Sequence, residues 1–470
     1  HRDLHRLIRR QRQMCIRDRK VVITSIIFFL FLGSLAPVFS VPPIQTSVTV
    51  TPNIKEATPT VGNVKAGFET IKAGFVYVGP IGDYGWTHAH DRGRRIVDEK
   101  YDWLNTTYSD SVPEAEAASV IETLITQESC NVIFTTSFGF MDATYEAAQQ
   151  HPDIIFFHCS GYQRYKNMGT YFAEFYQLYY LNGLMAGALT KTGKAGYVAA
   201  YLTPEVVRHI NAFALGFREA ALSREIKDPK VYVLEIGAWY HPDKAREFAR
   251  VLIERYDCDA LAFTEDSPAV IQYCQELFES KGKLVYTFAH YSPMLSYGPN
   301  VTLSGQLVHW EVIYEDILVK IHNGTYNTTN LENVDYWWML GEGAVELGAD
   351  FGVPINPIFE DDLKAVTVKD KLTGETISAY DLVMRRLNAM NKTVPDFEPF
   401  TGPIYANNGT LMVEEGVKLG HDELWTMQWF VQGVEMAKAA AGIPIWLIGA
   451  IAGVVVVVIV VYLAIIRKRK

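Results

Sequence analysis

The sequence predicts an α/β protein whose two parallel-sheet lobes face each other across a ligand cleft. Three observations lead there. From Ala66 onward, short apolar runs alternate with helix-period segments, the pattern of parallel strands covered by helices. The strand–helix–strand rhythm restarts near Ala195, and 470 residues hold more than one such unit. Loops carrying glycine, aromatic and acidic residues follow several strands and open helices, the place where open α/β sheets hold ligands.

Residues 1–40 read as a signal-peptide region. Val21–Ala36 is an apolar run behind a basic stretch, and small residues near Pro37–Ser40 suit a cleavage site. A membrane anchor is the competing reading. Met14 is a candidate start, which would make residues 1–13 spurious upstream translation. No cysteine stands at the expected cut, so a lipoprotein anchor is not expected. Residues 41–65 are rich in Pro, Thr, Ser and Val without a period and read as a flexible stalk.

The two-lobed domain is expected over 66–438. Strands are predicted at Gly74–Val78, Val132–Thr136, Ile154–His158, Ala195–Ala200, Lys230–Ile236, Ala260–Thr264 and Leu284–Phe288. Helices are predicted from Thr87 to Val97 and over Glu114–Thr126, Met141–Gln150, Leu178–Thr190, Pro204–Ala221, Pro242–Tyr256 and Pro268–Ser280. The first strand runs into Gly79-Pro-Ile-Gly-Asp-Tyr-Gly-Trp86. Its three glycines permit tight bending and close approach of a ligand, and an aromatic at the loop tip offers a stacking face. The spacing fits neither a phosphate loop nor Gly-x-Gly-x-x-Gly. Thr135–Asp142, Ile236–Asp243 and Phe263–Pro268 repeat the arrangement. Aromatics from opposite sides of a cleft can clamp a flat ring. Asp266 and Ser267, with Ser137 and the backbone of Phe138 and Gly139, are the candidates for reading its edge. Asp266-Ser267-Pro268 also reads as an ordinary helix start, and Asp243 as an N-terminal helix charge.

Residues 439–466 carry no charge and are long enough to cross a bilayer as a helix. Arg467–Lys470 follows, which places that end in the cytoplasm. The expectation is a single-pass membrane protein with its binding domain outside. Six Asn-x-Ser/Thr sequons, at Asn105, Asn300, Asn323, Asn327, Asn391 and Asn408, fit a glycoprotein. Together with the anchor and the missing lipobox they suggest an archaeal cell surface.

Charge excludes one class of partner. Residues 1–40 carry +6 and the basic tail +4, which leaves −20 for residues 41–466 out of a net −10. A polyanion would be repelled, so nucleic acid is not expected. Cys15, Cys130, Cys159, Cys258 and Cys274 have no metal-site spacing. The last four are expected as buried free thiols, although a disulfide between two of them stays open. No Gly-x-Ser-x-Gly elbow and no dense Asp cluster is present, and His88 and His90 do not face each other on a helix. An enzyme is not expected.

With these loops in view, the chain resembles the basic membrane protein family, substrate-binding proteins of ABC importers that include purine base and nucleoside receptors. The matching strings are Phe75–Trp86 with His90-Asp91, Phe134–Asp142, Pro152–Tyr162, Tyr180–Gly187, Pro399–Ile404 and Glu423–Gly433. The resemblance spans about residues 70–436. It implies a type I periplasmic-binding-protein-like fold of two Rossmann-like lobes, with no enzymatic activity, cofactor or metal. The implied partners are a purine base or nucleoside, and the ABC permease and ATPase subunits. In the family two aromatics from opposite lobes sandwich a purine, and Trp86 and Trp239 fall at those positions. Asp83, Tyr84 and Tyr162 join the implied contacts. Family members often carry a Glu where Gln177 stands. Nucleoside receptors hold ribose with a carboxylate after the strand ending at Phe288. Here Ala289-His-Tyr-Ser-Pro293 has no acid, so an adenine-like free base is expected, with His290 the side chain left to reach a ribose. The rival reading is a ligand-sensing receptor subunit for purine nucleosides or another flat heterocycle such as a flavin.

Overall fold

The computed structural model describes residues 68–439. The signal-peptide region, the stalk, the membrane helix expected over 439–466 and the basic tail lie outside these residues, Ala439 apart. Among the described residues no helix is long and apolar enough to cross a membrane.

The first lobe is a six-stranded, all-parallel sheet. Its strands are β1 (Ile71–Val76), β2 (Leu104–Ser109), β3 (Val132–Thr135), β4 (Ile155–Cys159), β5 (Met168–Ala173) and β11 (Asp335–Trp338), in the order β2-β1-β3-β4-β5-β11. The second sheet contains β6 (Lys194–Ala199), β7 (Lys230–Glu235), β8 (Ala260–Phe263), β9 (Tyr286–Tyr291), β10 (Thr302–Val308), β12 (Val345–Leu347) and β17 (Val434–Met436). Its order is β12-β10-β9-β8-β6-β7-β17, and only β12 runs antiparallel to its neighbour. Two hairpins, β13–β14 (Thr367–Lys369, Thr376–Ser378) and β15–β16 (Ile404–Tyr405, Leu411–Val413), flank the lobes. Both sheets repeat one winding: the second strand lies outside the first and the third to fifth follow on the other side. Chain order reverses between β1 and β3, and again between β6 and β8. Ligands bind at such switch points.

The helices are α1 (Trp86–Lys100), α2 (Ala117–Thr126), α3 (Met141–Gln150), α4 (Tyr176–Leu189), α5 (Pro204–Ser223), α6 (Pro242–Arg255), α7 (Ala269–Lys281), α8 (Trp310–His322), α9 (Glu360–Ala365), α10 (Ala379–Met390) and α11 (His421–Trp425). Every side chain of α4 is buried, consistent with its apolar character on all faces. Its close packing on α5 explains the Tyr180–Gly187 string. A Cβ at Gly183 would stand 2.1 Å from the Phe213 carbonyl oxygen, and one at Gly187 equally close to that of Phe217.

The predicted strands and helices are all present within a few residues. Two of the strands missed share a cause. β2 is a half-exposed edge strand with polar residues, and β10 reads Thr-Leu-Ser-Gly-Gln-Leu-Val, so neither presents an apolar run. Cys130, Cys159, Cys258 and Cys274 are free and buried.

The chain passes between the lobes three times, after β5, after β10 and after β11. Glu174, fully buried, stands at the first passage. Its carboxylate accepts from Arg208 Nε (3.0 Å) and Nη2 (2.6 Å), His209 Nε2 (3.0 Å) and the Tyr176 N–H (2.9 Å), while its own N–H donates to the Trp338 carbonyl at the third passage (2.7 Å). Arg208 also donates to the Leu424 carbonyl (2.7 Å) and lies over the rings of Trp337 and Trp425. Burial pushes the Glu174 carboxyl up, but the Arg208 charge and the His209 and Arg208 hydrogen bonds outweigh it and hold the pKa at about 2. The folded pKa is thus below the ordinary 4.5, so this stabilisation is complete above that pH and is lost as pH falls toward 2. Glu174→Gln strands Arg208 with a neutral partner and is expected to cost about 3–5 kcal/mol. Urea titration at neutral pH reads the loss, and the variant should show a shallower decline of stability below pH 4.5. Unchanged stability at both pH values would remove Glu174 as the tie between the passages.

Candidate functional site

The two switch points face each other across the cleft and enclose a cavity of about 300 Å³. From the first lobe come Val78 and Trp86 after β1, Thr136, Ser137 and Phe138 after β3, and Ser160 after β4. From the second come Glu205 at the start of α5, Trp239 after β7, Asp266 after β8 and Tyr291 at the end of β9.

Trp86 is held rather than free to swing. Its indole Nε1–H donates to the Thr136 carbonyl (2.7 Å), and it makes edge-on contacts with Tyr291, Trp310 and His90 at ring distances of 4.9, 5.3 and 4.5 Å. Its remaining surface lines the cavity. Trp239 is half-buried, packs edge-on against Tyr201 at 5.1 Å, and lines the cavity from the other lobe. Its carbonyl accepts from the Asp266 N–H (2.9 Å), which ties the two second-lobe loops together. The lobes touch where Gly85 meets Asp266. A Cβ on Gly85 would lie 2.8 Å from the Asp266 Cα, so this closeness requires glycine.

The cavity is acidic and its acids are poorly solvated. Asp266 is 3% exposed, its Oδ1 has no hydrogen-bond partner among the described residues, and the Trp86 N–H faces the carboxyl. Burial, then the charges of Asp83, Glu265 and Glu205, push its pKa well up. Beside it, burial lifts Glu265 to about 7, against hydrogen bonds from Ser267 Oγ (2.6 Å) and the His241 N–H (2.6 Å). Burial also raises Glu205. A protonated Asp266 can both donate and accept, which matches a heterocycle edge that pairs a ring nitrogen with an amino or N–H group.

Of the residues singled out from the sequence, Trp86, Trp239, Ser137, Phe138 and Asp266 meet at the cavity. The others do not reach its wall. Asp83 turns inward to cap α1, accepting from the N–H groups of Gly85 (2.8 Å), Thr87 (3.0 Å) and His88 (2.9 Å). Tyr84 is exposed, with its ring against His88 and Tyr297. Gly139 borders Glu114 on a neighbouring surface, and Ser137 Oγ is itself committed to Glu114 (2.9 Å). Ser267 serves the turn into α7, bonding Glu265 and accepting from the Ala269 N–H (3.3 Å), in keeping with the helix-start reading. Tyr162 is exposed and lines a second chamber. Gln177 is buried in α4 with neither amide atom partnered among the described residues. His290 is buried, its Nδ1 shared by Tyr179 (3.0 Å) and Gln306 (2.9 Å).

Val78, Thr136, Ser160, Glu205 and Tyr291 are the lining residues that sequence reasoning did not assign. Ser160 and Tyr291 hold φ of +67° and +62°, strained for side-chain-bearing residues, and such strain gathers at functional sites. No acid follows Phe288 in the sequence, and in space the Tyr291 hydroxyl lies 3.5 Å from Glu205 Oε1 of α5.

Residues 70–381 match the family described as ABC transporter substrate-binding protein PnrA-like. A purine-binding protein of Brucella abortus is 32% identical over 368 residues, covering 78% of this chain and 93% of that protein. A Haloferax volcanii protein with a provisional name as an ABC transporter glucose-binding protein is 35% identical over 297 residues, covering 63% of this chain and 71% of that protein. A crystal structure of an ABC transporter solute-binding protein from Aeropyrum pernix is similar in fold, with TM-score 0.56 at 15% identity over 68% of this chain and 91% of that one.

The Asp83 geometry predicts a structural rather than a ligand role. Asp83→Ala leaves the first turn of α1 without its acceptor and is expected to cost about 0.5–2 kcal/mol of stability. Denaturant titration without any ligand reads it, and an unchanged midpoint would reopen Asp83 as a ligand contact.

Proposed function

This chain belongs to the PnrA-like substrate-binding proteins of ABC transporters, and from that premise we propose that it captures a purine between Trp86 and Trp239 and delivers it to a permease. It is a non-enzymatic solute-binding protein of the extracellular or periplasmic side. The observation that carries the ligand reading is the cavity itself. Two indoles line it from opposite lobes, together with the buried Asp266 carboxyl, whose Oδ1 has no partner among the described residues. A flat ring gains from two stacking faces and from a donor–acceptor edge at Asp266. The name of the Brucella relative agrees with a purine, while that of the Haloferax relative makes glucose the ligand to test against it.

Calorimetric titration with adenine and with glucose decides between them. For adenine, Trp86→Ala and Trp239→Ala should each weaken binding by about 1–3 kcal/mol, the worth of one aromatic stack on a base. Adenine affinity unmoved in both variants would sink the clamp, and glucose binding without adenine binding would replace the purine.

Asp266 gives a separate test. Asp266→Ala is expected to lose about 1–3 kcal/mol of adenine affinity by leaving the ligand edge unpaired. Asp266→Asn keeps one donor and one acceptor and should retain most of it. Melting of the ligand-free Ala variant should stay close to that of the wild type. A large drop there would assign Asp266 to the start of α7 instead.

A further inference from the structure

We propose that Asn323 and Asn327, in the loop from α8 to β11, are N-glycosylation sites, and that Asn300, which carries the same Asn-x-Thr motif, is not one. The co-substrate is a lipid-phosphate-linked oligosaccharide, brought by a transferase of the exporting cell. The asparagine Nδ2 attacks the anomeric carbon of the sugar. The bond from that carbon to the phosphate oxygen breaks, the lipid phosphate leaves with the electron pair, and Nδ2 gives one proton to a base of the transferase.

The loop lies at the end of the first lobe that is turned away from the cavity. The cavity is at the carboxyl ends of the parallel strands, and the loop is at their amino ends. His322 Nδ1 is bonded to the Phe68 carbonyl ahead of β1 (2.8 Å), and its ring stacks on Trp103 ahead of β2 at 4.1 Å. The Leu331 N–H donates to the Lys166 carbonyl ahead of β5 (2.9 Å). A glycan carried here stands clear of the cleft.

The loop is fixed, and its two sequons are what it leaves at the surface. The Tyr326 N–H donates to the Lys320 carbonyl (2.9 Å), and the Tyr336 hydroxyl donates to that of Tyr326 (3.0 Å). Asn323, Thr325 and Thr329 are exposed, and Asn327 is half-buried. Asn323 Oδ1 accepts from the Thr325 N–H (3.0 Å) and Oγ1 (2.6 Å). Asn327 Oδ1 accepts from the Thr329 N–H (3.0 Å) and Oγ1 (2.6 Å) in the same way. Each turn brings together the amide and the hydroxyl that define the motif. Each occupies Oδ1 and leaves Nδ2, the atom that takes the sugar, without a hydrogen bond among the described residues.

Asn300 has the motif without the access. Its N–H donates to Gln275 Oε1 (3.1 Å), and Asn356 Nδ2 donates to the carbonyls of Pro299 (3.0 Å) and Thr302 (2.8 Å) on either side. Thr302 is wholly buried at the start of β10. A transferase has to reach both the asparagine nitrogen and the hydroxyl two residues on, and here the hydroxyl is inside the lobe.

The test is glycopeptide mapping of the full chain, exported from a host that N-glycosylates secreted proteins. Glycans are removed enzymatically in heavy-oxygen water, so that each formerly occupied asparagine is marked by mass. In the wild type, Asn323 and Asn327 should be occupied and Asn300 unmodified. Asn323→Gln and Asn327→Gln should each lose the mass of one glycan, and Thr325→Ser, which keeps the motif, should lose none. Melting curves of the three variants check that they fold. An unmodified Asn323 or Asn327 in the wild type would overturn the proposal, as would an Asn300 occupied as fully as those two. The wild-type map needs no variant to fold.

Discussion

The fully buried carboxylate of Glu174 is the interaction on which the rest of the structure depends. It stands where the chain first leaves one lobe for the other, and it collects a guanidinium, an imidazole and a backbone N–H at once. A charge taken this far from water is tolerable only when every lone pair is engaged. That requirement places α5 against the first passage and the third passage against the first. Arg208 extends the same logic to the C-terminal segment through Leu424, Trp337 and Trp425. The relative orientation of the two switch points, and so the shape of the cavity, follows from this one neutralised knot.

The site has the opposite electrostatic character. At Glu174 the opposing cation wins over desolvation and holds the proton off. Among the described residues lining the cavity there is no cation, desolvation wins, and the pKa values of Asp266, Glu265 and Glu205 rise. Two buried carboxyls within one protein are thus shifted in opposite directions for a stated reason: Glu174 has Arg208, while Asp266 has only further acids around it. The lining thus combines two indole faces with carboxyls whose pKa values burial raises.

Much of the site was legible because it lies in loops whose composition is abnormal for loops. Trp86 and Trp239 follow strands and precede helices, where an exposed indole has no ordinary reason to be, and both line the cavity. Asp266 was legible for the same reason. Asp83 and Ser267 were ambiguous, because an acid or hydroxyl at a helix start has the same sequence signature whether it binds a ligand or caps the helix, and here both bond the backbone of a turn. Glu205 was invisible for the converse reason. After Pro204 it reads as a routine first-turn acid, and only the approach of α5 to Ser160 and Tyr291 puts it on the cavity wall.

The sequence by itself determined the α/β class, the two lobes, the positions of the buried central strands and the two tryptophans, because apolar runs, helical periods and Gly/Pro-rich turns are local properties of the chain. It also determined that Cys130, Cys159, Cys258 and Cys274 have no metal-site spacing, and they stand free and buried. Only the tertiary structure decided which acids meet. The missing carboxylate after Phe288 is the clearest case: no acid is there in sequence, yet Glu205 stands beside Tyr291 in space, some 86 residues away along the chain. The edge strands and α8, which returns to the first lobe after the chain has built most of the second, were decided the same way. Their partners come from distant segments, and no local pattern records a pairing whose energy exists only once both lobes have formed.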